Sequence, residues 1–302
     1  MLTAPRRPMR RFRPESPTLA IGTLERRHLD LECGRVAYLR HGPTGAPPLL
    51  LVHGIPTSAR LWEPLLGTLG AYYDCIVPDL LGLGRSRPAA GADLASPGQA
   101  DMLAAVLDAL DIETCLAVFH DQGGAHGAQM LKRHGGRVDA AVFTDCVCYD
   151  NWPVPVVDAL MRLGPATRPL AATRVLQYAM RVFPWPLTTF RGPILQAARE
   201  DWEYALNTGG EALTHWIDYT ASQSSHWSQD AVSALQSWTK PAHVIWAAQD
   251  RFLPPSWGVE LARDIPGADD NPELLPFAGH FWQMEVPATG AAAIHRFFSN
   301  LG

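Results

Sequence analysis

The chain has 302 residues, 47% of them hydrophobic, with 25 Lys and Arg against 30 Asp and Glu and a net charge of −5 at pH 7. That size and apolar share suit one large domain with a covered core. They argue against a nucleic-acid partner, which wants a clustered basic face, and no run of about 18 apolar residues marks a membrane span.

The first 20 residues form the only basic cluster, with Arg6, Arg7, Arg10, Arg11 and Arg13 broken up by Pro5, Pro8, Pro14 and Pro17. Prolines at that density prevent a regular amphipathic helix, so residues 1–20 read as a disordered arm. A targeting role has little support, because no apolar segment follows the arginines. Arg35 to Arg40 alternates and predicts an antiparallel edge strand. Leu49 to Val52 and Asp74 to Pro78 predict short buried strands, ending at His53-Gly54 and at Asp79. Ser96 to Leu110 has helical periodicity, with Met102, Leu103, Val106, Leu107 and Leu110 on one side. Cys115 to Phe119 predicts a strand that runs into His120-Asp121. Gly124 to His134 follows as a helix, stopped by Gly135-Gly136. Strands are expected again at Ala140 to Phe143, His243 to Ala247 and Glu273 to Leu275, and Thr289 to Phe298 closes the chain as a helix.

Strands alternating with helices imply a mostly parallel sheet covered on both faces. Residues 150–238 break that alternation. They are rich in tryptophan and proline, offer no convincing strand, and read as an inserted helical lid on a core of residues 21–149 and 239–302. The five cysteines Cys33, Cys75, Cys115, Cys146 and Cys148 are odd in number and lack framework spacing. They are expected to be reduced thiols of a cytoplasmic protein. No Cys/His set has zinc spacing, so neither a metal nor a cofactor is implied.

Ligands of such sheets bind beyond the carboxyl ends of the strands. His53, Asp79, Asp121, Asp145, Asp250 and His280 all occupy those ends. A strand, a sharp turn and a helix with the reactive residue at the turn make a nucleophile elbow, usually written G-x-S-x-G. Here that position falls on Asp121, inside His120-Asp121-Gln122-Gly123-Gly124, and no G-x-S-x-G occurs in the chain. The chain order Asp121, Asp250, His280 is the nucleophile–acid–histidine order of the α/β-hydrolase fold. Ser86 lies in a G-x-G-x-S loop, away from any elbow. His53, His120 and His126 read as packing and bracing residues.

From Leu29 onward the chain resembles the α/β-hydrolase superfamily, on the branch with an aspartate nucleophile that includes haloalkane dehalogenases, epoxide hydrolases and fluoroacetate dehalogenases. The resemblance rests on His53-Gly54-Ile55-Pro56-Thr57-Ser58 with Leu61-Trp62, on Pro78-Asp79-Leu80-Leu81-Gly82-Leu83-Gly84-Arg85-Ser86, and on the elbow. Gln249-Asp250-Arg251-Phe252-Leu253-Pro254 matches the acid loop. Gly279-His280-Phe281-Trp282-Gln283 with Glu285-Val286-Pro287 matches the histidine loop. The resemblance implies that Asp121 attacks an sp³ carbon to form an alkyl ester, that His280 activates water against that ester, and that Asp250 holds the imidazole. Asp145 is the alternative acid, since some relatives place theirs on the strand after the elbow. The backbone N–H groups of Ile55 and Gln122 are the expected oxyanion donors.

The family's halide donors are missing. Where haloalkane dehalogenases resemble one another in carrying a tryptophan after the nucleophile, and often an asparagine in the H-G-x-P turn, this chain has Gln122 and Ile55. The arginines that resemble a carboxylate grip in the fluoroacetate branch are replaced by Gln122 and Ala125. Gln122 offers its own amide N–H₂ instead. Epoxide hydrolases use lid tyrosines as acids. Tyr149, Tyr178, Tyr204 and Tyr219 are the candidates here, with Trp282 as a further leaving-group donor. The expected activity is hydrolysis of a carbon–halogen or epoxide C–O bond in a small, largely apolar substrate, with water as co-substrate. Alternatives are an epoxide hydrolase proper, an ester or lactone hydrolase in which Asp121 serves as base, and a non-catalytic ligand-binding protein on the same fold.

Overall fold

The computed structural model describes residues 15–171, 173 and 196–301. Among these residues nine strands form one sheet: β1 Arg27–Leu31, β2 Gly34–His41, β3 Pro48–Val52, β4 Asp74–Pro78, β5 Arg87–Pro88, β6 Cys115–Asp121, β7 Val138–Cys146, β8 Ala242–Ala247 and β9 Glu273–Leu275. Their spatial order is β1-β2-β4-β3-β6-β7-β8-β9, with the short β5 paired to β2. Every neighbouring pair from β4 to β9 is parallel, and β2 is antiparallel to both β1 and β4.

The central strands read as unbroken apolar runs because both faces of the sheet are covered. Leu50, Val52, Phe119 and Phe143 enter one core; Leu49, Leu51, Val118 and Val142 enter the other. Helices α2 (Ser96–Ala109) and α3 (Gln122–His134) cover the first face; α1 (Glu63–Leu69) and the helix Pro287–Ser299 cover the second. Two sequence expectations change. The strand expected at Arg35 to Arg40 is antiparallel but lies inside the sheet, with β1 outside it. β1 reads R-H-L-D-L and is mostly exposed, so it has too few apolar residues to announce itself. The arm read as disordered through residue 20 is tied down from residue 15. Glu15 N donates to Glu285 O at 2.8 Å, and Thr18 N donates to Pro64 O at 2.8 Å.

Between β7 and β8 every element among the described residues is helical: α4 (Pro155–Thr167) and the helices Gln196–Trp202, Tyr204–Thr208, Gly210–Ser222, Ser225–Asp230 and Val232–Gln236. This insertion is fastened to the sheet by a buried ion network. Asp201 accepts from Arg26 Nη1 at 3.1 Å and Nη2 at 2.7 Å, and from Arg85 Nε at 2.9 Å. Arg26 also lies 3.0 Å from Asp79, which accepts from Ala59 N and Arg85 N. Arg85 stacks 3.8 Å over the Tyr204 ring. Burial opposes the charge on Asp201, but Arg26 and Arg85 outweigh it and hold the carboxyl below its ordinary range.

Removing one partner of such a network strands the others. Asp201→Ala should therefore lose on the order of 3 kcal/mol in urea unfolding. A depressed pKa contributes stability that is present above the unfolded value and lost as pH falls through the folded one. The difference between wild type and variant should thus hold at neutral pH and shrink in acid below about pH 4.

Candidate active site

The site is assembled at the carboxyl ends of β3, β6, β7 and β8. Asp121 ends β6 with φ 54° and ψ −127°, and α3 starts at the next residue. The helix begins at Gln122, two residues before the Gly124 start that the sequence suggests, and its first turn packs closely on the ends of β3 and β7. A Cβ at Gly123 would stand 2.7 Å from His53 O, and one at Gly124 would stand 2.5 Å from Cys146 Cβ. The positive φ of Asp121 is a strained position for a non-glycine residue and turns its carboxyl out of the sheet. Asp121 Oδ1 accepts from Ile55 N at 2.7 Å. Gly54 makes that approach possible: a Cβ there would lie 2.2 Å from Asp121 Oδ1 and 2.4 Å from Gln122 N. Both expected oxyanion donors thus stand beside Gly54.

His280 links Asp250 to this point. Its Nε2 lies 3.2 Å from Asp121 Oδ2, and its Nδ1 donates to Asp250 Oδ2 at 2.7 Å. Asp250 Oδ1 accepts from Phe252 N at 2.8 Å and Leu253 N at 3.0 Å. Burial alone would favour neutral imidazole, but the Asp250 charge and the hydrogen bonds to Asp121 and Asp250 prevail, so His280 is raised well above its usual range. Burial opposes ionisation of Asp250 too, and the His280 charge with its hydrogen bonds brings that carboxyl down. Asp145 lies at the same spot, fully buried. One ligand atom each of Asp145, Asp250 and His280 falls within 4.8 Å of the others.

The supporting histidines have structural duties. His53 Nδ1 donates to Gly54 O at 2.9 Å, and its Nε2 accepts from Leu80 N at 3.1 Å. It braces the turn that carries Ile55, and burial lowers its pKa. His120 Nε2 donates to His280 O at 2.9 Å, and burial takes its pKa down to about 3.

The leaving-group candidates separate. Trp282 is fully buried and its Nε1 donates to Thr144 Oγ1 at 2.9 Å, so this indole is committed to the core and does not serve as a leaving-group donor. Tyr204 is engaged by Arg85 and Arg87, whose Nη2 donates to its hydroxyl. Tyr149 stacks on Trp257, and burial with the Asp264 carboxylate raises its phenol. Tyr178 lies outside the described residues. Tyr219 is fully buried on the helix Gly210–Ser222, and its hydroxyl shares a 2.9 Å hydrogen bond with His126 Nε2. Burial and the charge of Asp121 hold this phenol well above its ordinary range. Gln122 Nε2 donates to Gln223 Oε1 at 3.2 Å, while Gln122 Oε1 has no partner among the described residues. Gln223 in turn donates to Leu94 O and Tyr219 O. Sequence reasoning missed Gln223 and Asp201, because the contacts that tie them to Gln122 and Arg85 span 100 residues or more.

The candidate groups sit on sheet-end loops beside a helical insertion. Residues 47–287 match the family model described as the alpha/beta hydrolase fold, and the chain belongs to that family. It is 25% identical over 253 residues to a haloalkane dehalogenase of Mycobacterium marinum, covering 82% of this chain and 84% of that one. It is 35% identical over 105 residues to a haloalkane dehalogenase of Psychrobacter cryohalolentis, a match spanning 34% of this chain and about a third, 35%, of the relative. The solved structure of an alpha/beta hydrolase fold protein from Burkholderia ambifaria superposes with a TM-score of 0.76 at 22% identity, over 93% of this chain and 99% of that one. Among the described residues no helix is long and apolar enough to cross a membrane.

Two measurements check the geometry. Gly54→Ala should push the Asp121 carboxyl from its seat and lower turnover by roughly 100-fold, the scale of a 1 Å misplacement, with an unaltered circular dichroism spectrum. Asp121→Asn removes one of the two charges that raise His280, so the NMR titration midpoint of that imidazole should fall. An unchanged midpoint would mean that Asp121 and His280 do not interact.

Proposed function

We propose that this hydrolase opens a carbon–halogen or epoxide C–O bond through an alkyl ester on Asp121. The observation that carries the reading is the division of labour between the two Asp121 oxygens. Oδ1 already receives the Ile55 N–H, and Oδ2 faces His280. In the first step Oδ2 attacks the electrophilic carbon, the ester C–O bond forms, and the leaving group departs with its bonding electrons. Esterification removes the Asp121 charge and its hydrogen bond to His280, so the imidazole releases its proton more readily, to solvent alongside a halide or toward the alkoxide of an opened epoxide, and becomes a base. Water then loses a proton to His280 Nε2 and adds to the ester carbon. Charge develops on Oδ1, where Ile55 N–H and Gln122 N–H are the proposed stabilising donors. Collapse releases the alcohol, which takes the proton from His280; the carboxylic acid left on Asp121 then passes its own proton to His280 Nε2, restoring the carboxylate and the protonated imidazole. Asp250 holds the imidazole by its Nδ1 throughout.

The 25% identity to the Mycobacterium marinum haloalkane dehalogenase supports a halide as leaving group. The amide of Gln122 would then be the donor at the residue after the nucleophile. Tyr219 supports the epoxide variant: a buried phenol within the electrostatic reach of Asp121 is suited to protonate an opening alkoxide.

A single turnover in ¹⁸O-water should leave the label in the Asp121 carboxyl, read by mass spectrometry of its peptide. Label absent from Asp121 and found only in product would point to direct attack by water with Asp121 as base: in the alcohol for a haloalkane or epoxide, in the released acid for the ester or lactone alternative. His280→Phe should accumulate the ester, seen as a mass gain equal to the alkyl fragment when haloalkanes or epoxides are supplied. If wild type turned over neither class and the variant trapped neither, the reading would fail.

A further inference from the structure

Asp145 is the penultimate residue of β7, one strand away from the proposed nucleophile, and the Asp121–Asp250–His280 reading gives it no role. It occupies a demanding position. Its φ is +44°, its side chain is fully buried, and it belongs to a nine-residue strand that is apolar but for Asp139, Thr144 and itself. Ala247 N donates to Oδ1 at 3.0 Å, and Thr144 Oγ1 donates to Oδ2 at 2.9 Å. Thr144 is itself oriented by the indole N–H of Trp282. The remaining neighbours are Asp250 and His280, each with a ligand atom within 4.8 Å of one on Asp145, and the thiol of Cys146.

A hydrogen bond between two carboxyl groups requires one proton between them. The surroundings decide which oxygen carries it. Asp250 receives two backbone N–H groups and His280 Nδ1, all of which favour the carboxylate. Asp145 receives one backbone N–H and a hydroxyl. The one nearby cation, His280, is already committed to Asp250 on one side and Asp121 on the other. Two adjacent buried carboxylates would repel strongly, and the group with fewer donors is the one that stays neutral.

We propose that Asp145 is a neutral carboxylic acid that donates its proton in a hydrogen bond to Asp250, and so acts as a positioning residue for the carboxylate that orients His280. The two acids are therefore not rivals for one place. Asp250 faces the imidazole and Asp145 holds Asp250 from behind, completing a run Trp282, Thr144, Asp145, Asp250, His280. Burial, with the Asp250 charge next, also keeps the Asp145 carboxyl well above the ordinary carboxylate range. The catalytic consequence of the proposal rests on the Asp121–Asp250–His280 reading; the protonation state does not.

Infrared difference spectroscopy of the full chain labelled with ¹³C at aspartate carboxyls tests it. Wild type at pH 7 should show a protonated-carboxyl band that shifts on labelling, persists from about pH 6 to 8 (where ordinary carboxyls are fully ionised), and disappears in Asp145→Asn. Absence of such a band, or a band unaffected by the variant, overturns the proposal with no reference to activity. Asn keeps an N–H donor and tolerates a positive φ, so Asp145→Asn should lose less than tenfold in ester hydrolysis. Asp145→Ala removes the donor and should lose roughly tenfold or more beyond that, the scale of a hydrogen bond to a charged group, with the acid limb of the pH profile displaced. If Asp145→Asn instead collapses to the level of Asp250→Asn, Asp145 is the ionised partner and the proposal falls. The ¹⁸O experiment above reads the ester route separately.

Discussion

Everything around the site answers one constraint: three carboxyl groups and one imidazole lie together where water scarcely reaches. Asp121, Asp145, Asp250 and His280 are each no more than 5% exposed. An ionised group taken into a protein interior is expensive unless charge and hydrogen bonds replace its water. The fold meets that demand with four backbone N–H groups, from the turn after β3, the end of β8 and the loop that follows it. Ile55 serves Asp121, Phe252 and Leu253 serve Asp250, and Ala247 serves Asp145. His280 supplies the positive charge between the first two acids. Each of these donors is placed by the end of a parallel strand, so the relative positions of β3, β6, β7 and β8 are tied to the electrostatics of the site.

That arrangement gives the imidazole two states without any movement of the backbone. With Asp121 ionised, two carboxylates flank His280 and favour its proton. With Asp121 neutralised, one remains. Under the proposed ester route, the neighbour that raises this base is the one the chemistry neutralises, so the base would become available only when it is needed. Gly54 is the steric counterpart of this electrostatic economy. Its missing Cβ lets Ile55 N–H reach Asp121 directly, and the side chain of His53 holds the turn from below.

Most of the sheet could be read from the chain because a strand covered on both faces must be apolar throughout and can turn polar only at its tip. β4 and β9 fall where the sequence puts them, and β3, β6, β7 and β8 differ only at their ends. β1 was invisible because an exposed edge strand needs no apolar signature. The elbow residue, Asp250 and His280 stood out as polar tips of buried runs. What pattern could not supply was anything that depends on partners distant in sequence. Asp145 and Asp250 looked like competitors because an imidazole has one Nδ1; the space behind Asp250, where a second acid fits, is a property of the packed sheet. The lid tyrosines looked equivalent because pattern does not reveal that Arg85 and Arg87 engage Tyr204 or that Tyr149 turns toward Trp257 and Asp264.

Gln122 shows where local and distant reasoning meet. In the sequence its amide looks available to a leaving group. In the structure one of its N–H groups goes to Gln223, whose own amide is anchored on Leu94 O and Tyr219 O. Tyr219 in turn pairs with His126 on α3. Both polar groups suited to a departing halide or alkoxide are therefore held by one helix of the insertion and the residue that follows it, at its junction with α3. Donors fixed in this way are oriented in advance and lose little entropy when charge develops beside them. Under the proposed reading, the choice of leaving group would depend on how the insertion docks, and the Asp201 network that fastens it would bear on specificity as much as on stability.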